Sequence, residues 1–198
     1  MNTVFFRAFE PEDAILIHEW KNDHKFMKDA VGMLRYTSLQ EDSEWVIKRM
    51  NHDPYNVYWA ICLKDNGKMI GYTCLNNIHY VNSSAEGGAI VIGDNGYQDG
   101  MAWIETNLFL FYYAFEVLHL NRLWGTYLDT QKTTDFATNL FFLQIEGRLR
   151  QAAYKNNCYH DLLYVAILRD EYISHLECGD YEITSILKRC RQLKKGDR

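Results

Sequence analysis

The stretch GDNGYQDGMAWIETNLF, Gly93 to Phe109, decides how this chain is read. The residues before it, Ala89 to Ile92, are mainly β-branched and predict a strand. Gly93 to Gly100 is polar and rich in glycine, and Met101 onward is almost wholly apolar. The pattern is a strand, a short loop and a helix. The first N–H groups of a helix have no acceptor within it, and the helix dipole makes that end partly positive. Gly100 lets a ligand approach bare backbone, and Ala102 adds little bulk. A loop so built serves either as a tight strand-to-helix turn or as a cradle for phosphates. It is not a P-loop, because no Gly-Lys-Ser/Thr ends it, and it lacks the G-x-G-x-x-G spacing of a dinucleotide fold.

Working outward, Val4 to Phe9 reads as a strand. Pro11 marks the start of a helix running to about Asn22, with Glu12 and Asp13 in its first turn. Ser38 and Glu41 form an S-x-x-E capping box, which predicts a helix over Ser38–Met50. Val57–Lys64 and Met69–Ile78 are strands joined by DNGK, where Asn66-Gly67 suits a tight hairpin. Gly88–Ile92 is the next strand, and Gly87-Gly88 signals a bulge or a close backbone approach. Then come a helix over Met101–His119, a strand over Arg122–Leu128 and a helix over Thr133–Leu143. Two strands, Arg148–Tyr154 and Leu162–Leu168, follow, and a last helix starts near Ile183. The fold class is α/β: a mixed, mostly antiparallel sheet of about seven strands flanked by helices, in a single domain over 1–198.

The 198 residues carry 47% hydrophobic residues and a formal charge of −5, so a sizeable core is expected and a general attraction to nucleic acid is not. Lys188, Arg189, Arg191, Lys194, Lys195 and Arg198 close the chain as a basic cluster, read as a solvated helix face or a frayed tail. Cys62, Cys74, Cys158, Cys178 and Cys190 are odd in number and contain no C-x-x-C pair, which fits a reducing cytoplasm rather than a disulfide framework or a zinc site. No apolar run is long enough to span a membrane, and no leader is expected at the N-terminus. No G-x-S-x-G or H-E-x-x-H motif supports a serine hydrolase or a metal catalyst.

These segments together resemble the GNAT superfamily of N-acetyltransferases, nearest the branch of ribosomal-protein and aminosugar N-acetyltransferases. FFRAFEPEDAILIHEW is similar to the family's opening. GKMIGYTCLNNIHYVNSSAEGGAIVIG resembles its hairpin and the strand that receives pantetheine. YQDGMAWIETNLFLFYYAFEVLHLNRLWGTYL resembles its acetyl-CoA loop, helix and following strand. IEGRLRQAAYKNNCYHDLLYVAILRDEY resembles its final hairpin, with Asp161, Glu171 and Tyr172 in place.

The resemblance implies a splayed central strand pair and acetyl transfer from acetyl-CoA to an amine, with no metal. It implies a cofactor site at Ile90, Val91, Ile92, Gln98, Asp99, Gly100, Met101, Ala102, Trp103 and Gln131. Thr138 falls where the family often has a Tyr near the CoA sulfur, and Tyr97 takes the first position of the family's loop motif; water or another hydroxyl, Tyr97 or Tyr113, then protonates the departing thiolate. Gln131 stands where the family has Asn, and the loop-to-helix segment is one residue longer than usual. The resemblance places acceptor contacts at Trp20, His24 and Arg35 in or near the early helices. Glu86, at the start of the splayed strand, is a carboxylate able to take an ammonium proton, and His79, ending the preceding strand, faces the same cleft. The acceptor is a small amine, an aminosugar nucleotide or a protein N-terminus. A homodimer is expected as possible from the family. The alternative reading is a degenerate domain that binds acyl-CoA or a protein partner without useful catalysis.

Overall fold

The computed structural model describes residues 3–23, 35–97, 100–130, 132–155 and 157–196. They form β1 (Val4–Arg7), α1 (Asp13–Asn22), α2 (Leu39–Met50), β2 (Val57–Leu63), β3 (Met69–His79), β4 (Ser84–Gly87) and β5 (Val91–Ile92). Next come α3 (Met101–Tyr112), β6 (Arg122–Leu128), α4 (Lys132–Phe141), β7 (Gln144–Lys155), β8 (Cys158–Leu168), α5 (Arg169–Glu177) and α6 (Ile183–Gly196). The expected α/β class holds, with eight strands rather than about seven. Contacts divide the chain into two compact units, residues 2–79 with 85–110, and residues 80–84 with 111–198.

In the first unit the strand order is β1-β2-β3-β4, and β5 also pairs with β3. Strand β2 alternates strictly, as a strand between two packed layers must. Ala60 and Cys62 face Phe9, Ile17, Trp20 and Val46, whereas Ile61 and Leu63 pack with Val4, Ile70 and Ala102. On that second side Phe6 stacks on Phe109 at 3.8 Å, and Trp59 meets Phe109 edge-on at 5.1 Å. Helix α3 carries a buried acid, Glu105, whose carboxylate accepts N–H bonds from Thr3 at 2.8 Å and Val4 at 3.0 Å. These bonds seat the first residues of β1.

Local chemistry explains the helix starts. Ser38 lies outside α2, and its hydroxyl accepts from Glu41 N–H at 3.1 Å, the predicted cap. Helix α1 begins at Asp13 rather than Pro11. The Asp13 carboxylate receives Glu10 N–H at 2.8 Å and both Arg7 guanidinium nitrogens at 2.7 Å, so the tie to β1 sets the boundary. In the β2–β3 turn only Gly67 has a positive φ, +74°, and Gly67 N–H reaches back to Leu63 O at 2.9 Å. Of the expected strand Gly88–Ile92 only Val91–Ile92 is strand (β5), and an unexpected strand, β4, ends just before it at Gly87. Gly88 sits so close to β3 that a Cβ there would lie 2.2 Å from Cys74 Sγ, and the chain breaks its extended run at that contact.

The second unit has the antiparallel order β6-β8-β7. The final hairpin is longer and tighter than its polar sequence suggests, with Lys155 opposite Cys158 and Tyr154 against Tyr159 at 4.9 Å. A π turn at Tyr113–Val117 extends α3, and such a turn accommodates one extra residue without breaking the helix. Helix α5 was not expected, because its apolar residues are few. It starts where Glu171 accepts Leu168 N–H at 2.9 Å. The basic end of the chain is not wholly a solvated face. Arg189 donates to Leu140 O at 3.1 Å and covers the Phe142 ring at 4.8 Å. Among the described residues, no helix is long and apolar enough to cross a membrane.

Candidate functional site

The loop quoted at the outset starts from β3. Gly93 N–H and Asp94 N–H both donate to Ile70 O, at 2.9 and 3.2 Å. Asp94 then turns the chain. Its carboxylate accepts Gly96 N–H at 2.9 Å and pairs with Lys68 at 2.5 Å, which holds the carboxyl below its ordinary range. Gly100 has φ +92°, a conformation that side-chain-bearing residues resist, and among the described residues a Cβ there would meet nothing within 4 Å. The backbone is therefore open on that side. Helix α3 follows at once, its first turn closed by Ile104 N–H to Gly100 O at 3.0 Å. A glycine at a helix N-terminus leaves backbone donors where an anion can approach.

Other expected cofactor residues flank this point. Ile90 and Ile92 pack on the Ala102 side of the sheet, and Val91 on the opposite side, which is ordinary strand alternation. Ala102 is buried, and with Met101 and Tyr97 it lines a cavity of ≈ 320 Å³ against β1 and the β2–β3 turn. Trp103, the second residue after Met101 in α3, is half-buried. Gln98, Asp99, Gln131 and His24 lie outside the described residues. Thr138 is in the second unit on α4, and its hydroxyl donates to Thr134 O at 3.1 Å within its own helix.

The expected acceptor contacts separate. Trp20 is core, 8% exposed, and its ring lies flat against Gly93, where an added Cβ would be only 2.1–2.3 Å away. It supports the loop from beneath and presents no open contact surface. Arg35 is exposed and pairs with Glu41 at 3.2 Å. His79 is exposed at the end of β3. Glu86, half-buried on β4, accepts Asn77 Nδ2–H at 2.7 Å.

Beside Glu86 lies a cluster that the sequence reading missed. Tyr72, Cys74 and Asn76 share one face of β3 by its two-residue period, and Tyr58 stands opposite Cys74 on β2. Trp45 and Arg49, one helical turn apart on α2, close over this face. The Arg49 guanidinium is 3.9 Å from the Trp45 ring centre and 4.9 Å from that of Tyr58. Burial pushes the Cys74 thiol up to about 12, with Glu86 adding to the rise and Arg49 opposing it. Burial also raises the Tyr58 phenol. The available signal was the alternation Tyr72-x-Cys74-x-Asn76 combined with the α2 spacing of Trp45 and Arg49.

Behind the cluster, α1 and α2 are joined by the buried Asp42. It accepts from Lys21 at 2.8 Å, Thr37 at 2.6 Å and His18 at 2.9 Å. Burial alone would raise this carboxyl, but the bonds from Lys21, Thr37 and His18 outweigh it and hold it below its ordinary value. Among the described residues, no group of three or more His, Cys, Asp or Glu side chains is placed to hold a metal ion.

A strand, a glycine-bearing loop and a helix start follow one another on the antiparallel sheet of the first unit. Residues 3–133 match the family profile described as Acetyltransferase (GNAT) domain, and the chain belongs to that family. Among solved structures it is similar to spermidine N-acetyltransferase from Vibrio cholerae in complex with CoA and spermine. The TM-score is 0.77 at 23% identity, over 86% of this chain and 98% of that one. A probable acetyltransferase aligns with a TM-score of 0.73 at 25% identity, over 86% and 96%. A dodecameric form of the Vibrio cholerae enzyme aligns at 0.72 and 21% identity, over 87% and 98%. No protein of curated function matches the chain.

Proposed function

We propose that this protein transfers the acetyl group of acetyl-CoA to a primary amine by direct attack, without an acyl-enzyme. The observation that carries the reading is the family match over residues 3–133, which includes the loop where Gly100 leaves the backbone open at the start of α3. In this reading the amides at the start of α3 hold the diphosphate, and the segment from about Ala89 to Ile92 lines the pantetheine arm. A thioester is already activated, so the protein has only to orient the amine, take its proton and polarise the carbonyl. The backbone N–H near Ile90 is assigned the carbonyl, and Glu86 receives the proton through water. The amine nitrogen bonds to the acyl carbon, the carbon–sulfur bond breaks, and the thiolate takes a proton from water or from another hydroxyl, Tyr97 or Tyr113. Thr138 is a poorer donor, because an aliphatic alcohol is a far weaker acid than a phenol.

Direct attack is supported by the state of the buried thiols. Cys74 lies nearest Glu86, and at about 12 it is protonated at neutral pH. Burial raises Cys62 as well. Neither is a thiolate nucleophile. The test is release of free thiol from acetyl-CoA across a panel of amines, with initial-rate patterns. Sequential kinetics are expected, and Glu86→Gln should lower turnover roughly a hundredfold. Ping-pong kinetics or an acetylated cysteine would overturn direct attack. CoA binding with no transfer to any amine would favour a binding domain without catalysis.

A further inference from the structure

Arg49 is a cation held in a built setting without a matching anion. Its guanidinium lies against Trp45 and Tyr58, Nη1 donates to Trp45 O at 3.3 Å in its own helix, and the guanidinium also hydrogen-bonds the Tyr58 phenol, a neutral group. Nε is buried with no acceptor, and on β3 Asn76 Oδ1 is buried with no donor. Among the described residues, no carboxylate pairs with Arg49. Lys21 shows the contrast: it lies 4.0 Å from the same Trp45 ring, but Asp42 neutralises it at 2.8 Å. Guanidinium presents five donors in a plane that matches an oxyanion, and leaving a buried donor unmet is costly. The Cys74 thiol feels both Arg49 and Glu86, so the two charged groups flank one patch of β3.

We propose that Arg49 receives an oxyanion carried by the acceptor, so that the substrate is an amine bearing a carboxylate or a phosphate. This rests on the acetyl-transfer reading above, with Glu86 taking the proton of the same molecule's amine. A polyamine would bring further positive charge to a patch where Arg49 is already unneutralised. An anionic amine instead neutralises Arg49 while its amino group faces Glu86. The flat Trp45 and Tyr58 rings hold the guanidinium in place, so little of its freedom is lost on binding.

The experiment uses paired acceptors: an amino acid against its amide, glucosamine 6-phosphate against glucosamine, and spermidine as a polycation. The anionic member of one pair should be used at least tenfold better in kcat/KM, mainly through KM, a charge-assisted bond being worth roughly 10–100-fold. The pair that responds identifies carboxylate or phosphate. Arg49→Gln should erase the preference, and Arg49→Lys should keep part of it. Equal use within both pairs, a preference for spermidine, or a preference unchanged in Arg49→Gln would overturn the proposal. A second arm needs no turnover. Arginine Nε–H resonances of the parent protein are followed by NMR during titration with inorganic phosphate or acetate, against chloride at equal ionic strength. One resonance, absent from the Arg49→Lys spectrum, should shift with one of the two oxyanions and not with chloride. No such shift would overturn the anion site. A shift with no acetyl transfer to any amine would leave the anion site standing and refute the transferase reading.

Discussion

Replacing Gly93 by Ala adds one methyl group, and the structure sets its cost. The new Cβ would lie 2.1–2.3 Å from three atoms of the Trp20 indole, where ordinary contact begins at 3.4 Å. The ring or the loop must therefore move by about 1 Å. Trp20 is 8% exposed and packed beside Tyr72 at 6.5 Å, so it has little room to yield. Overpacking of this kind costs about 1–3 kcal/mol, and a side chain forced off its rotamer adds about 1 kcal/mol. Restricting the unfolded chain returns about 0.4–1 kcal/mol, because Gly93 has an ordinary negative or extended φ. The net loss is about 2 kcal/mol. With a urea slope of about 2 kcal/mol/M, the midpoint should fall by about 1 M at unchanged slope. Trp20→Ala alone should cost about 3–5 kcal/mol, and the double variant should cost less than the sum by about 2 kcal/mol, because the clash has gone. A Gly93→Ala protein with the parent's midpoint, or two costs that simply add, would refute the seating of the loop on Trp20. The displaced loop should also weaken CoA binding by calorimetry.

Gly100→Ala should cost about 1–2 kcal/mol for its φ of +92° alone, with no clash, and should lower CoA affinity about tenfold; parent-like binding in a folded variant would reject the cradle. Because the Asp42 carboxyl is held low in the fold, its stabilisation is present above its unfolded value of about 4 and is lost as pH falls through the folded value. Asp42→Ala strands Lys21 and should cost about 3–5 kcal/mol at pH 7, and the gap from the parent should close in acid, read by urea melts across pH. Cutting the chain after Leu187 removes Arg189 and its bond to Leu140 O, so thermal unfolding should come earlier; an unchanged midpoint would show that the bond contributes nothing.

Much of the fold was legible because it is local. The Ser38 cap, the β-branched runs of β2 and β3 and the strand-loop-helix at Gly93 each depend on residues within one or two turns of one another. Strand β6 was read to the residue for the same reason. Where long-range contact decided the outcome, the sequence pattern misled. The Gly88–Ile92 run is mainly β-branched, yet Gly88 is pressed against Cys74 and only Val91–Ile92 of the run is strand. Trp20 looked like an acceptor contact because it is an aromatic in an early helix; packing against Gly93 made it core.

The site divides along the same line. The amino-acid sequence by itself determined the strand-loop-helix at Gly93 to Met101, since a glycine at a helix start has its geometry written into adjacent residues. Only the tertiary structure placed Arg49 of α2, Tyr58 of β2, Asn76 of β3 and Glu86 of β4 around one patch. Those four lie far apart along the chain, and a guanidinium with no carboxylate partner among the described residues is visible only in three dimensions.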